Sequence, residues 1–193
     1  MNKKKVHKTK AELLHELNYT AKYRRNAYAA SFSGLLIHMA HILIFREKWT
    51  PMQVKKLSDA ITSGLDDEKF DIESANKRLE EKTGLRFDVV GHEKSEKPIK
   101  TYQSMIDSKI IEAEDEIVTY ARKWCLLAYN YMMDNGFGKK RIGRINDAML
   151  ESLRSAESGL AGSRTKDLRN DLINAGFYIE MPKEINWDGG IYG

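Results

Sequence analysis

The sequence predicts an all-α protein built from two degenerate copies of one helical unit. Apolar residues recur at helical spacing along most of the chain, and only three prolines interrupt its 193 residues. One apolar pattern also occurs twice, at a separation of 88 residues. The composition, 41% apolar and 31% charged, is that of a globular protein that can form a core.

The first copy contains a well-marked helix start. Thr50 suits the N-cap position, Pro51 suits the first helical position, and Gln53 completes a capping box. The apolar residues that follow at helical spacing are Val54, Leu57, Ile61 and Leu65. Their counterparts 88 residues later are Ile142, Ile145, Met149 and Leu153, preceded by Phe137 and Gly138 in place of Trp49 and Thr50. Four apolar positions and a helix boundary at one separation indicate a duplication.

Each copy extends beyond this helix in both directions. An apolar block, 36–45 or 124–133, precedes it and predicts a buried central helix. A third helix follows and ends at Gly84 or Gly176, where glycine suits a left-handed cap. The short extended segments after these glycines, 85–89 and 177–181, predict at most a two-stranded β ribbon.

The predicted organisation has five segments. They are a basic N-terminal helix within 1–30, a first helical unit at 31–90, a polar linker at 91–100, a second helical unit at 101–182 and a C-terminal tail at 183–193. Two all-round apolar helices and oppositely charged regions also predict a homo-oligomer, in the first place a homodimer. The alternative is that the two copies satisfy each other within one chain, as a pseudo-dimer.

Several features indicate a cytoplasmic protein with no membrane partner. The single cysteine, Cys125, excludes an internal disulfide and fits a reducing compartment. The basic start is not followed by the apolar stretch of a secretory signal. The longest apolar run, 35–45, is about half the ~20 residues that span a bilayer.

The start of the second-copy helix is unusually basic. Lys139, Lys140 and Arg141 lie in the first turn, and Arg144 lies one turn on. Each cation opposes the helix dipole at a cost of about 0.3–1 kcal/mol, without an evident structural reason. Cations, flexible glycines and unpaired helix N–H groups together predict a binding site for a phosphate-bearing ligand, a nucleic acid or nucleotide. The residues of this predicted anion site are Gly136, Gly138, Lys139, Lys140, Arg141 and Arg144, assisted by Arg164 and Lys166. The alternative is that the basic side chains only solvate a surface helix.

No other constellation predicts chemistry. His38 and His41 lie three residues apart, but their second-copy counterparts are apolar or aromatic, which favours packed, hydrogen-bonded histidines over metal ligands. Cys125 lies in the most apolar helix and is expected to be buried and inert. The sequence therefore predicts no metal, no cofactor and no enzymatic activity.

The segment 135–142 reads Asn-Gly-Phe-Gly-Lys-Lys-Arg-Ile and links two predicted helices. It resembles a pattern in small uncharacterised helical proteins of Firmicutes phages and prophages, in which an apolar helix ends in a Phe-Gly-Lys-Lys-Arg turn. The resemblance covers 121–154 and, more loosely, 36–85, where Trp49, Thr50 and Pro51 replace the glycine-rich turn. It implies a phage-type accessory protein in a bacterial cytoplasm and no mechanism. Two functions stay open: binding of an anionic ligand, or interaction with a host protein as a modulator or inhibitor.

Overall fold

A computed structural model describes residues 32–88, 102–157 and 161–179, together with Thr9, Glu12 and His15. Over these residues the chain is helical apart from the connections between helices, and it contains no β-strand. The predicted all-α class is confirmed at this level. The linker 91–100 and the tail 183–193 lie outside the described residues.

The described helices follow one another through short turns. The described part of α1 is residues 32–46, and its last turn, Ile42–Arg46, is π-helical. The other helices are α2 (Pro51–Leu65), α3 (Ile72–Thr83), α4 (Tyr102–Asp134), α5 (Lys139–Glu157) and α6 (Ala161–Asn174). None of these described helices combines the length and apolarity that a membrane span requires.

The start of α2 is the capping box that the sequence predicts. The Thr50 hydroxyl accepts a bond from the Gln53 N–H at 3.3 Å, and the Gln53 side chain accepts one from the Thr50 N–H at 2.8 Å. In α5 the carbonyl of Gly138 accepts the first helical bonds, at 3.0 and 3.1 Å, so the second start also lies where predicted. Both boundaries are set by local hydrogen bonds.

Left-handed glycines end three of the described helices, α3, α4 and α6. Gly84 (φ 80°) and Gly176 (φ 83°) occupy the predicted cap positions of α3 and α6, and Gly136 (φ 84°) ends α4. The end of α1 differs because Lys48 takes this conformation at φ 60° without being glycine. The π-helical turn ends at Arg46 with Glu47 still right-handed, and Lys48 two residues later adopts the left-handed conformation at some cost.

The predicted apolar stripes form the core. Val54, Leu57 and Ile61 of α2 are fully buried, as are Ile142 and Ile145 of α5. Met149 is buried, and Leu65 and Leu153 pack against the core while partly exposed. Each fully buried side chain of this kind contributes about 1.5–3 kcal/mol of transfer free energy.

Two aromatic contacts set the relation between α1 and α4. Phe32 meets Trp124 edge-to-face, with ring centroids 6.5 Å apart, near the beginning of the described part of α1. Beyond the ends of the two helices, Trp49 meets Phe137 in the same manner at 5.3 Å. The order of the contacts shows that α1 and α4 run parallel.

The predicted β ribbon is absent from the described parts of its two segments, 85–88 and 177–179. The amide of Asn76 bonds the backbone of Phe87 on both sides, accepting from its N–H at 2.9 Å and donating to its carbonyl at 3.1 Å. The Arg122 guanidinium donates to the same carbonyl at 2.5 Å. Side chains of α3 and α4 thus satisfy the backbone groups of Phe87 that a partner strand would have used, so the described residues form no ribbon and the all-α prediction holds there without one.

Candidate anion-binding site

The basic turn is held between α4 and α5 by a buried aromatic residue. Phe137 is 6% exposed, and its N–H donates to the carbonyl of Met132 at 3.0 Å. This bond spans Gly136, whose left-handed conformation reverses the chain. The turn is thus held by Phe137, and the first residues of α5 that follow it are exposed to solvent.

Two of the predicted cations have a structural partner. Arg141 Nε donates to Glu47 Oε2 at 2.6 Å, and Arg144 Nη2 donates to Glu47 Oε1 at 3.4 Å. Arg141 Nη2 also reaches the Glu47 carbonyl at 3.2 Å, and its guanidinium lies 3.7 Å from the centre of the Phe137 ring. The Glu47 side chain is only 9% exposed. The inference that this turn opposes the dipole without a structural reason is therefore wrong for Arg141 and Arg144.

Lys139 lies against the end of another helix. Its Nζ is 3.6 Å from the position that a Cβ on Gly84 would occupy. That places the ammonium at the C-terminal end of α3, where the helix dipole favours a cation. Lys139 is nevertheless exposed, as is the next residue, Lys140.

A shallow depression of about 340 Å³ lies between the end of α3 and the start of α5. Its lining residues are Lys82, Thr83, Met133, Gly136, Phe137, Gly138 and Lys139. The structure thus brings three predicted site residues together and adds Lys82 and Thr83, which sequence reasoning missed. No local signal could have found this pair, because the contact joins two separate helix ends.

The polar groups around the depression differ in their availability. The Thr83 hydroxyl donates to the Leu79 carbonyl at 2.7 Å and accepts from the Leu85 N–H at 3.1 Å. The charged residues among the lining are Lys82 and Lys139, next to the first N–H groups of α5. Lys82 also interacts electrostatically with the Asp134 carboxylate. The negative end of the α3 dipole lies on the opposite side and weakens the local positive potential.

Of the two assisting residues, Lys166 does not line the depression. None of the described residues that line the depression belongs to α6. Lys166 is exposed and already has a polar or charged partner. The side chain of Arg164 lies outside the described side chains.

The histidines pack as the sequence predicts. His38, 2% exposed, lies 2.6 Å from the Ser152 hydroxyl through Nδ1. His41 Nε2 lies 3.3 Å from Asp171 Oδ2. Together they tie α1 to α5 and α6, which confirms the prediction of packed, hydrogen-bonded histidines. Within the described part of the chain, no three His, Cys, Asp or Glu side chains are grouped for a metal ion.

The thiol of the single cysteine has low reactivity. Cys125 is partly buried, and desolvation raises the pKa of its thiol to about 12. The thiol therefore stays protonated near neutral pH, which agrees with the predicted inert character.

The depression combines lysine side chains with the N-terminal end of a helix, and these are the kinds of donor that suit an anion. Comparisons with models of protein families, with curated proteins and with solved structures found no match to this chain.

Proposed function

We propose that the protein is a non-catalytic binder of a phosphate-bearing ligand, a nucleic acid or a nucleotide. The observation that carries the proposal is the convergence of exposed Lys82 and Lys139 with the start of α5 around one open depression. Phosphate oxygens are suited to both kinds of donor. Lys140, the next residue in the first turn of α5, is exposed as well, although it does not line the depression.

The proposed roles differ among the basic residues. Arg141 and Arg144 are bound to Glu47, so they hold α5 in place rather than reaching the ligand. Lys139 and Lys140 carry the charge, and the glycines at 136 and 138 leave the backbone accessible.

The test compares two pairs of adjacent lysines. The site variant is Lys139→Glu/Lys140→Glu, and the control is Lys55→Glu/Lys56→Glu, an exposed pair on α2 that changes the net charge equally. The probes are a short fluorescent DNA duplex, the corresponding single strand and ATP, each titrated at several salt concentrations.

We expect the site variant alone to weaken binding of at least one probe. If duplex DNA is bound, each lost phosphate contact makes log K less dependent on log salt by about 0.9. Equal weakening by both variants would indicate unspecific attraction to a basic protein and contradict the proposal. Absence of binding to every probe would contradict it as well.

A second candidate is a protein-interaction module, such as a modulator of a host protein. It is supported by large apolar side chains that the described surface leaves exposed: Tyr178 at 74%, Met52 at 63% and Phe45 at 40%. Aromatic residues and methionine are enriched at interfaces. The test is capture of a defined partner from bacterial lysate that is lost with Tyr178→Ala or Met52→Ala but kept with Lys139→Glu/Lys140→Glu.

We also propose that the two halves of the chain arose by duplication. The closing bond of α4 spans five residues, Phe137 to Met132, whereas that of α1 spans six, Trp49 to Leu43. If the π-helical turn contains one inserted residue, each first-copy residue before the turn corresponds to the second-copy residue 89 positions later, rather than 88. This brings buried Ile37, Met39, Ala40 and Leu43 into register with buried Leu126, Ala128, Tyr129 and Met132. An experimental structure in which α1–α3 superpose on α4–α6 would test it.

The wider setting is proposed on sequence grounds. The resemblance of segment 135–142 supports a phage or prophage accessory protein that acts in a bacterial cytoplasm. The apolar helices and separated charges support a homodimer, which light scattering distinguishes from a particle of 22.2 kDa.

A further inference from the structure

A single core joins two halves of the chain. The described residues before the polar linker, 32–88, form the first half, and those after it, 102–157 and 161–179, form the second half. Their buried apolar side chains belong to one cluster, in which Trp49 and Phe137 meet across the two halves. Separate domains would each have a core of their own. The contact between the halves, called the seam below, is therefore part of the core itself.

Helix α2 of the first half ends against α4 of the second half. The Lys123 ammonium donates to the carbonyl of Leu65 at 2.9 Å and to that of Asp67 at 2.8 Å. These bonds satisfy carbonyl groups at and just beyond the C-terminal end of α2, where a helix leaves them open. Close by, a Cβ at Gly64 would lie 2.4 Å from Cδ2 of Leu127, so α2 and α4 are in tight contact there. The end of α2 thus depends on side chains of the second half.

Helix α3 of the first half is bonded to the same helix at several levels. The Arg122 guanidinium donates to the Glu73 carboxylate at 2.9 Å, near the beginning of α3. Further along α3, Arg78 donates to the amide oxygen of Asn130 at 3.2 Å and forms an ion pair with Asp134. These contacts follow α4 from one turn to the next, so α3 lies along α4 as well. Both helices that follow α1 in the chain therefore pack on the central helix of the other half.

The second half reaches back to α1 in the same way. Buried His38 lies 2.6 Å from the hydroxyl of Ser152 on α5, and His41 lies 3.3 Å from the carboxylate of Asp171 on α6. The two guanidinium groups that bind Glu47, just after α1, belong to α5 too. Helices α2 and α3 thus complete the surroundings of α4, and α5 and α6 complete those of α1.

We propose that the two halves are binding partners that recognise each other as the chains of an interlocked dimer do, with or without a peptide bond between them. The partner that each half fits is a second helical unit that supplies the missing side of its core and matching charges. Side chains of opposite charge meet at three places along the seam: Arg122 with Glu73, Arg78 with Asp134, and Arg46 with Glu151. Complementary charges of this kind favour the correct partner over others. Halves of two different molecules can therefore be exchanged once the chain is cut.

The test is cleavage of the full chain between the halves. The recognition sequence of a specific protease is inserted between Ser95 and Glu96, and the uncut variant is the reference. The cut protein is examined by size-exclusion chromatography with light scattering, both in buffer and in urea. Cut protein is also mixed with a cut, isotopically labelled preparation in urea, and the mixture is analysed by native mass spectrometry after the urea has been removed.

We expect the two fragments to elute together in buffer, with the mass of the uncut variant, and to separate in urea. After the mixed preparations are refolded, pairs of one labelled and one unlabelled fragment should form, because each half binds the complementary half of any molecule. Fragments that separate in buffer, whether folded or unfolded, would overturn the proposal, since the halves would then not recognise each other. Absence of mixed pairs after refolding would overturn it too.

Two arginines of the first half provide matched variants for the seam. Arg78 pairs with Asp134 across the seam, whereas Arg86 pairs with Glu80 within the first half, and the two arginine side chains are 39% and 48% exposed. The dissociation constant of the cut pair is measured by ultracentrifugation at one moderate urea concentration. Arg78→Ala should raise it about three- to tenfold, and Arg86→Ala less than about twofold. Equal effects of the two variants, or no effect of Arg78→Ala, would contradict the proposed seam.

Discussion

Replacement of Glu47 by alanine tests how the basic start of α5 is stabilised. The Glu47 carboxylate is 9% exposed and accepts hydrogen bonds from Arg141 at 2.6 Å and Arg144 at 3.4 Å. Without the Glu47 carboxylate, the guanidinium groups of Arg141 and Arg144 remain near the positive N-terminal end of α5 with no counter-charge at position 47. The variant should therefore be less stable than the wild-type protein.

The size of the effect follows from the exposure of the partners. Breaking a buried ion pair costs about 3–5 kcal/mol, and breaking an exposed one costs about 0–1 kcal/mol. Glu47 is nearly buried, but Arg141 is 37% and Arg144 66% exposed, so water recovers part of the loss. We expect Glu47→Ala to lower the free energy of unfolding by about 1–2 kcal/mol. The Tm should fall by about 2–8 °C, measured by calorimetry with urea unfolding as a check.

The adjacent residue supplies the control. Arg46 pairs with Glu151 at 3.6 Å, but the two side chains are 59% and 73% exposed. Arg46→Ala should therefore change stability by less than about 0.5 kcal/mol. Glu47→Gln, which removes the charge and keeps an acceptor, should fall between the two. If Glu47→Ala were no more destabilising than Arg46→Ala, the structural role assigned to Glu47 would be refuted.

Three further changes test other parts of the fold. Asn76→Ala leaves the backbone groups of Phe87 without their amide partner and should cost about 1–3 kcal/mol in urea unfolding. Gly143→Ala should raise stability by about 0.5–1 kcal/mol, because a Cβ inside α5 meets nothing within 4 Å there; an unchanged or lower Tm would count against this packing. The Arg78 guanidinium beside Asp134 holds the pKa of that carboxyl below its usual 3.8. The stabilisation by ionised Asp134 is fully present above the pKa of this carboxyl in the unfolded chain, and it is lost as the pH falls through the lower pKa of the folded state. The Asp134→Asn variant lacks this contribution, so it should lose less stability between about pH 5 and pH 2 than the wild-type protein.

The sequence by itself determined the helices and much of the core. The capping box of Thr50 and Gln53 and the left-handed caps at Gly84 and Gly176 lie where the sequence predicts them. These features depend on hydrogen bonds and backbone conformations within a few residues, so their signals are local. The buried stripes follow in the same way, because helical periodicity decides which residues share a face.

Only the tertiary structure determined which distant residues serve as partners for a charge or a backbone group. Arg141 and its partner Glu47 are 94 residues apart, so the basic turn appeared uncompensated when read locally. Among the described residues no ribbon forms, because Asn76 and Arg122 bond the backbone of Phe87 across the packed helices. The depression likewise exists only because the ends of α3 and α4 meet the start of α5. Local spacing specifies which face of a helix is buried, whereas the partner that covers a charge or a backbone group is specified only by packing across the core.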